Sequence, residues 1–379
     1  MNLTPTITQY INDHAQEAYE LLLKLAQIPA PSNHEELRAQ FCQKWLTENG
    51  AEGVYVDEAL NVIYPIGCTA DNQVVVYAAH SDVVFPDTTP LPLTVSDGRI
   101  HCPGVGDDTA NVVALMMTAK YIAANKLVPA DPSCGVLLVI NSGEEGLGNL
   151  KGSRKLFETY KDRVAEFITL DGGPGGIINQ AVGSMRYLVE IDTEGGHSYG
   201  SFGNRNAIAY MASLIDTLYT MKVPPMGKTT YNVGTISGGT SVNTIAQHAE
   251  MLYEFRSDVR ESLAIMEQHF LAAIAFYRTK GITVTVTKVG DRPCSGPVDP
   301  VRQEALQQRA AIAAKNHYGY DVTYGAGSTD CNIPLSLGIP AICTGCVEGA
   351  GAHTREEYVE ISSLKPGLFV AYELVLHHF

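Results

Sequence analysis

The segment Asn141-Ser142-Gly143-Glu144-Glu145-Gly146 places two adjacent carboxylates directly after an apolar run, Val136-Leu137-Leu138-Val139-Ile140. Such a run reads as a buried strand of a parallel sheet. Proteins of the α/β class build their active sites at the carboxyl ends of these strands. Adjacent residues leave an extended chain in different directions. One glutamate can therefore bind a metal while its neighbour handles a proton. The alternative is a solvated acidic turn that caps the next helix.

The same placement recurs along the chain. Residues 74–79 run into His80-Ser81-Asp82. A carboxylate beside His80 could accept its far ring N–H, fixing the tautomer as metal-bound histidines require. Gly104-Val105-Gly106-Asp107-Asp108-Thr109 forms a turn entering a helix, Asp171 follows the strand-like run 167–170, and His353 sits in Gly349-Ala350-Gly351-Ala352-His353-Thr354. Taken singly, a His or Asp at a strand end is a surface residue or a cap. The repeated pattern points instead to a metal centre. A nucleotide-binding reading of Gly104-Val105-Gly106 fails because the third glycine is missing and two aspartates follow where phosphates would sit.

The elements that must position these residues alternate between strand and helix. Helical periodicity runs over 11–28 and 35–48, and strands fit 53–57, 62–66 and 74–79. A helix fits 110–124, with Asp108 and Thr109 as cap candidates. Strands follow at 136–140, 167–170 and 177–181; later come a helix at 301–317, a short helix at 332–337, a strand at 341–344 and a closing helix from 362. This is an α/β layout with a largely parallel sheet. The middle reads as strand 186–193, helix 207–221, strands 230–236 and 249–255, helix 262–277 and strand 282–289. That β-α-β-β-α-β order is the ferredoxin-like pattern. The expectation is a metal-binding α/β domain of residues 1–183 and 293–379 with residues 184–292 inserted as a second domain.

Composition fits this picture. The chain has 379 residues, is 45% hydrophobic, and carries 26 basic against 41 acidic residues for a net charge of −15. Its length suits two domains. Its acidity speaks against nucleic acid and anionic membranes, which need basic patches. No secretory signal or apolar run of membrane-spanning length is visible. Eight scattered cysteines point to reduced thiols and a cytoplasmic location. Cys343-Thr344-Gly345-Cys346 has CxxC spacing without a second pair, which is a weak redox or zinc signal.

Taken together, His80-Ser81-Asp82, Gly106-Asp107-Asp108, Ser142-Gly143-Glu144-Glu145-Gly146, Leu170-Asp171-Gly172-Gly173 and Gly351-Ala352-His353-Thr354 resemble the co-catalytic zinc exopeptidases, the family of peptidase T, carboxypeptidase G and the aminoacylases. The motifs run in that family's order and span nearly the whole chain. The resemblance implies two divalent metal ions per chain, Zn with Mn or Co as possible substitutes. His80 and Asp171 would bind one ion, Glu145 and His353 the other, and Asp107 would bridge them. Glu144 would be the general base toward an attacking water. Asp82 would clamp His80, and the Asp107–Asp108 peptide would be cis.

The inserted domain would serve as lid and dimerisation domain, making a homodimer. Within Glu194-Gly195-Gly196-His197-Ser198, His197 would reach the partner's active site and stabilise the oxyanion. Asn243 and Arg256 match lid positions for substrate contact, Arg256 alternatively pairing with Glu254 or Asp258. Gly327-Ser328-Thr329-Asp330 resembles a substrate-facing loop, with Ser328 as the contact, and Glu357 follows the His353 motif; turn and cap chemistry is the alternative for both. Two departures bear on specificity: Thr109 stands where many members have Lys, and residues 86–92 are proline-rich. Asp171 is typical of the family's peptidases, whereas its deacylating branches tend to carry Glu. The expected activity is a tripeptide or dipeptide aminopeptidase. N-acyl-amino-acid amidohydrolase and carboxypeptidase are alternatives on the same scaffold, and a non-catalytic peptide- or metal-binding protein is the alternative of a different class.

Overall fold

In the computed structural model, which describes residues 3–379, the chain opens with a helix, Pro5–Ala26. The Oγ1 of Thr4 accepts the Ile7 N–H at 3.3 Å and Pro5 occupies the first turn, where a missing N–H costs nothing. These caps set the start six residues before the expected periodic stretch. Helix Glu36–Glu48 follows. Helix Ala110–Ala124 lies where the pattern places it, but its expected caps do other work. The Thr109 hydroxyl donates to Gly104 O at 2.6 Å, and an Asp108 oxygen accepts the His80 N–H at 3.0 Å.

Contacts divide the chain into two compact units. One runs to Gln180 and resumes at Gly296–Phe379; the other is Ala181–Ser295, which contains the expected insert 184–292. Residues 1 and 2 of the expected first domain lie outside the described residues.

The first unit holds an eight-stranded sheet in the order Tyr55–Val56, Val62–Ile66, Cys134–Asn141, Gln73–His80, Val164–Thr169, Ala341–Cys343, Gly176–Ala181, Thr323–Gly327. The four strands from Cys134–Asn141 to Ala341–Cys343 are parallel, and antiparallel strands flank them. Gln73–His80 and Cys134–Asn141 are buried along nearly their whole length, as strands covered on both faces must be. They pair in register, His80 opposite Asn141. The two metal-motif turns thus leave the sheet side by side.

Two features of this unit escape the periodicity reading. Helix Lys151–Tyr160 follows the Glu144–Glu145 turn. A small antiparallel sheet joins Gly349–Ala350, Tyr358–Glu360, Arg99–His101 and Thr94–Ser96. Strands of two or three residues are too short for alternation to show.

The second unit is a four-stranded antiparallel sheet in the order Thr229–Gly238, His248–Ser257, Gly183–Asp192, Thr283–Arg292. Helices Ala207–Tyr219 and Arg260–Arg278 supply its apolar cover, with Met211, Leu214, Met266 and Phe270 fully buried. This is the ferredoxin-like order. Among the described residues no helix is long and apolar enough to cross a membrane.

Candidate metal centre

His80 ends its strand and is buried. Its Nε2 stands 3.1 Å from Asp107 Oδ1. The other oxygen of Asp107, Oδ2, lies 3.1 Å from His353 Nε2, which is 2.8 Å from Glu145 Oε1. Asp107 therefore faces a different histidine with each oxygen. Donor atoms of His80, Asp107 and Asp171 lie within 4.8 Å of one another, as do those of Asp107, Glu145 and His353, and those of His80, Glu144 and Glu145. The peptide between Asp107 and Asp108 is cis.

The Glu144–Glu145 pair is not a solvated turn: the two residues are 6% and 5% exposed. Buried hydrogen bonds hold the turn. Glu144 and Glu145 donate their N–H groups to Asp82 Oδ1 and Oδ2, each at 2.9 Å, and Gly143 donates to Glu35 Oε1 at 3.0 Å. Glu35 also accepts from Lys151 Nζ at 2.7 Å. Gly143 has φ +63°, a region an L side chain enters at a cost of about 1–2 kcal/mol.

This gives Asp82 a second part beside His80. The near acceptor of the His80 Nδ1–H is the Asp82 main-chain oxygen at 3.0 Å, while its carboxylate stands at 3.5 Å, the outer limit of a hydrogen bond. The carboxylate also grips the two glutamate amides and the Ser32 hydroxyl, the latter at 2.7 Å. The strand ends at His80, so the extended-chain geometry that would aim the Asp82 side chain at the ring stops there.

The electrostatics follow from this crowding. Burial pushes Asp171 up to about 7, assisted by the charge of Asp107. Burial also raises Asp108 well above the carboxylate range. Burial disfavours charge on His80, but hydrogen bonds to Asp107 and Asp82 hold its pKa well above the usual value. Asp107 and then Glu145 hold His353 up at about 10. Burial opposes ionisation of Asp107, yet His353 and His80 keep it well below the ordinary range. Carboxylates thus outnumber cations, and two imidazoles share their free nitrogens with acid oxygens. Nitrogen and carboxylate donors converging in this way fit divalent cations such as Zn²⁺.

A cavity of about 240 Å³ opens beside Asp107 and Asp171, walled by Gly172, Gly173, Val347, Ala350 and Tyr358. Ser328 is half-buried in the loop before helix Asn332–Ser336. Its neighbour Asp330 is fully buried and accepts from Asn141 Nδ2 at 2.5 Å and Ser153 Oγ at 2.6 Å. Cys343 and Cys346 are free and buried, and burial raises both thiols. Burial of this kind disfavours the reactive thiolate form.

His197, Asn243 and Arg256 belong to the second unit. His197 is exposed on a two-residue strand paired with Thr244–Ile245. Its Nδ1 accepts the N–H groups of Tyr199 and Gly200, both at 3.2 Å. That leaves an exposed Nε2–H as donor. Asn243 accepts from Ser198 N at 2.9 Å through its main-chain oxygen, tying the two loops together. The Arg256 guanidinium forks onto Glu254 at 2.9 and 3.1 Å.

Sequence reasoning missed Ser32, Glu35 and Arg38. Arg38 is 2% exposed and donates to Ile28 O, Ser81 O at 2.8 Å and Thr109 Oγ1 at 3.1 Å. Their signal in the sequence is that of ordinary helix-entry polar residues.

The fold and the paired histidine–carboxylate groups define a metal-dependent hydrolase of the α/β class. The chain belongs to peptidase family M20/M25/M40, whose sequence pattern matches residues 76–377. It is 23% identical over 360 residues to the succinyl-diaminopimelate desuccinylase of Corynebacterium glutamicum, covering 91% of this chain and 92% of that one. Its fold is similar to a tripeptidase from Staphylococcus aureus, with TM-score 0.75, 23% identity and coverage of 95% and 97%. It is also similar to a dinuclear metal binding peptidase of Bacillus subtilis, with TM-score 0.65, 18% identity and coverage of 97% and 100%.

Proposed function

We propose that this chain is an exopeptidase with a two-ion centre, acting on short peptides that carry a free N-terminus, most simply as a tripeptide or dipeptide aminopeptidase. The observation that carries the two-ion centre is Asp107, whose two oxygens face His80 and His353 separately. In this reading His80 and Asp171 would hold one divalent ion and Glu145 and His353 the other, with Asp107 available to both. When bound, two such ions supply Lewis acidity toward the scissile carbonyl and lower the pKa of the attacking water toward about 7. Glu144, buried beside His80 and Glu145, takes the proton from that water and returns it to the leaving amine. The His197 Nε2–H is the donor for the oxyanion, brought by the partner subunit of a homodimer. Asn243 and Ser328 contact the peptide; Arg256 does so only by exchanging Glu254 for a substrate carboxylate. A reduced, cytoplasmic setting suits eight free cysteines.

The likeness to the S. aureus tripeptidase and an aspartate at position 171 support the peptidase side. A second reading, hydrolysis of N-acyl amino acids, is favoured by the likeness to the C. glutamicum desuccinylase. One panel separates them: unblocked, N-acylated and C-amidated di- and tripeptides, assayed with zinc, manganese and cobalt. The aminopeptidase reading expects turnover of free and amidated peptides and none of N-acylated ones. Glu144→Ala should lower kcat about 10²–10⁴-fold with both ions still bound. Undiminished turnover would remove Glu144 as the base.

A further inference from the structure

One side chain, Glu357, joins the loop carrying His353 to the loop carrying Asp107. It stands four residues after His353, is 1% exposed, and begins the link into strand Tyr358–Glu360. Its Oε2 accepts the Gly104 N–H at 2.6 Å, and its Oε1 accepts the N–H groups of Gly106 at 2.7 Å and Asp107 at 2.8 Å. Its main-chain oxygen accepts the Cys102 N–H at 3.1 Å. There is little slack in this grip: a Cβ placed on Gly106 would stand 3.3 Å from Oε1.

Three amides converge on the two oxygens of one buried side chain, and removing that acceptor would leave buried N–H groups without a partner, which is costly. The grip fixes the main chain of Asp107, and so the aim of the carboxylate that faces both His80 and His353. Glutamine in its place offers one acceptor oxygen and turns an N–H toward an N–H. Aspartate is one methylene shorter.

We propose that Glu357 is a positioning residue of the metal centre, setting the distance and aim of Asp107 relative to the His353 loop. The proposal rests on the reading of Asp107 and His353 as metal ligands. Residues that orient metal ligands in this way affect metal affinity or activity by about 10–100-fold when removed.

The test uses the full chain with Glu357→Ala, Glu357→Gln and, as a control, Glu360→Gln, whose side chain pairs with Arg99 on the same small sheet. Competition with a chromophoric chelator gives the Zn²⁺ and Co²⁺ affinities at a temperature where every variant is folded, and the visible spectrum of the Co²⁺ form reports ligand geometry. Glu357→Ala should weaken at least one ion by about 10–100-fold and alter the Co²⁺ spectrum. Glu357→Gln should show a smaller loss, and Glu360→Gln none. A merely structural role would lower the melting midpoint and leave affinity and spectrum unchanged, which would overturn the proposal. Should Glu357→Ala not fold, Glu357→Gln decides: weakened binding supports the proposal, and wild-type affinity with a wild-type spectrum overturns it. A wild-type chain that binds no divalent ion overturns the ligand reading together with this proposal. Two ions held unchanged by wild type and Glu357→Ala overturn this proposal alone.

Discussion

Both carboxylate oxygens of Asp82 are taken by the Glu144 and Glu145 amides, so this residue acts on the dicarboxylate turn as much as on His80. Asp82→Asn keeps one acceptor oxygen and presents an N–H to the other amide; Asp82→Ala keeps none. We expect activity to fall about 10–100-fold in Asp82→Asn and further in Asp82→Ala, with weaker metal binding in both. Chelator competition alongside peptide turnover measures this. Equal, wild-type behaviour of the two variants would show that the turn holds itself. The candidate ligand types and the place of most of them after strands were legible in the sequence. The buried polar residues behind them were not: Ser32, Glu35 and Arg38 look like any helix-entry residues until the fold buries them.

At the scale of elements, the strand end Ala341–Cys343 and the turn after it shape the ground under Asp171. Gly345 packs so closely on the Gly172-Gly173 backbone that a Cβ there would fall 1.6 Å from Gly172 O. The obstacle is main chain, which cannot swing aside as a side chain could. Gly345→Ala should therefore destabilise the chain by about 2–4 kcal/mol and displace Asp171. A urea melt checks the first effect and metal affinity the second; a variant with wild-type values in both would contradict the packing argument. This explains the CxxC spacing as a packed turn. The larger sheet was readable because its central strands are long, apolar runs. The small sheet that Glu357 leads into was not, since its short strands gain their partners only from distant chain.

For the whole molecule, acid stability and metal stability are separable. Burial raises the cost of ionising Glu166, but His378 and Arg309 hold its pKa down at about 2. A depressed carboxylate pKa stabilises the fold fully above its unfolded value of about 4.5, and that stability is lost as pH falls toward 2. Its size is at most about 3 kcal/mol. Glu166→Gln should lower stability at neutral pH and flatten the loss between pH 4.5 and 2, as denaturant melts across that range will show; an unchanged slope would refute the linkage. Divalent ions act by mass action instead. Each site filled at 100 times its Kd adds about 2.7 kcal/mol, so stripping ions with a chelator should lower the thermal midpoint, and zinc, manganese or cobalt should restore it. A midpoint indifferent to both treatments would count against the centre.

The sequence by itself determined the α/β class, the ferredoxin-like order of the middle segment and the identities of the ligand candidates, because these rest on local periodicity and on short motifs at strand ends. Tertiary structure decided how they work together. Only folding sets Asp107 between two histidines, turns Asp82 onto the Glu144 and Glu145 amides, and brings Glu357 across about 250 residues of chain to the Asp107 loop. The physical reason is that a hydrogen bond between distant segments leaves no periodicity in either one: its donors are backbone amides, which every residue but proline carries.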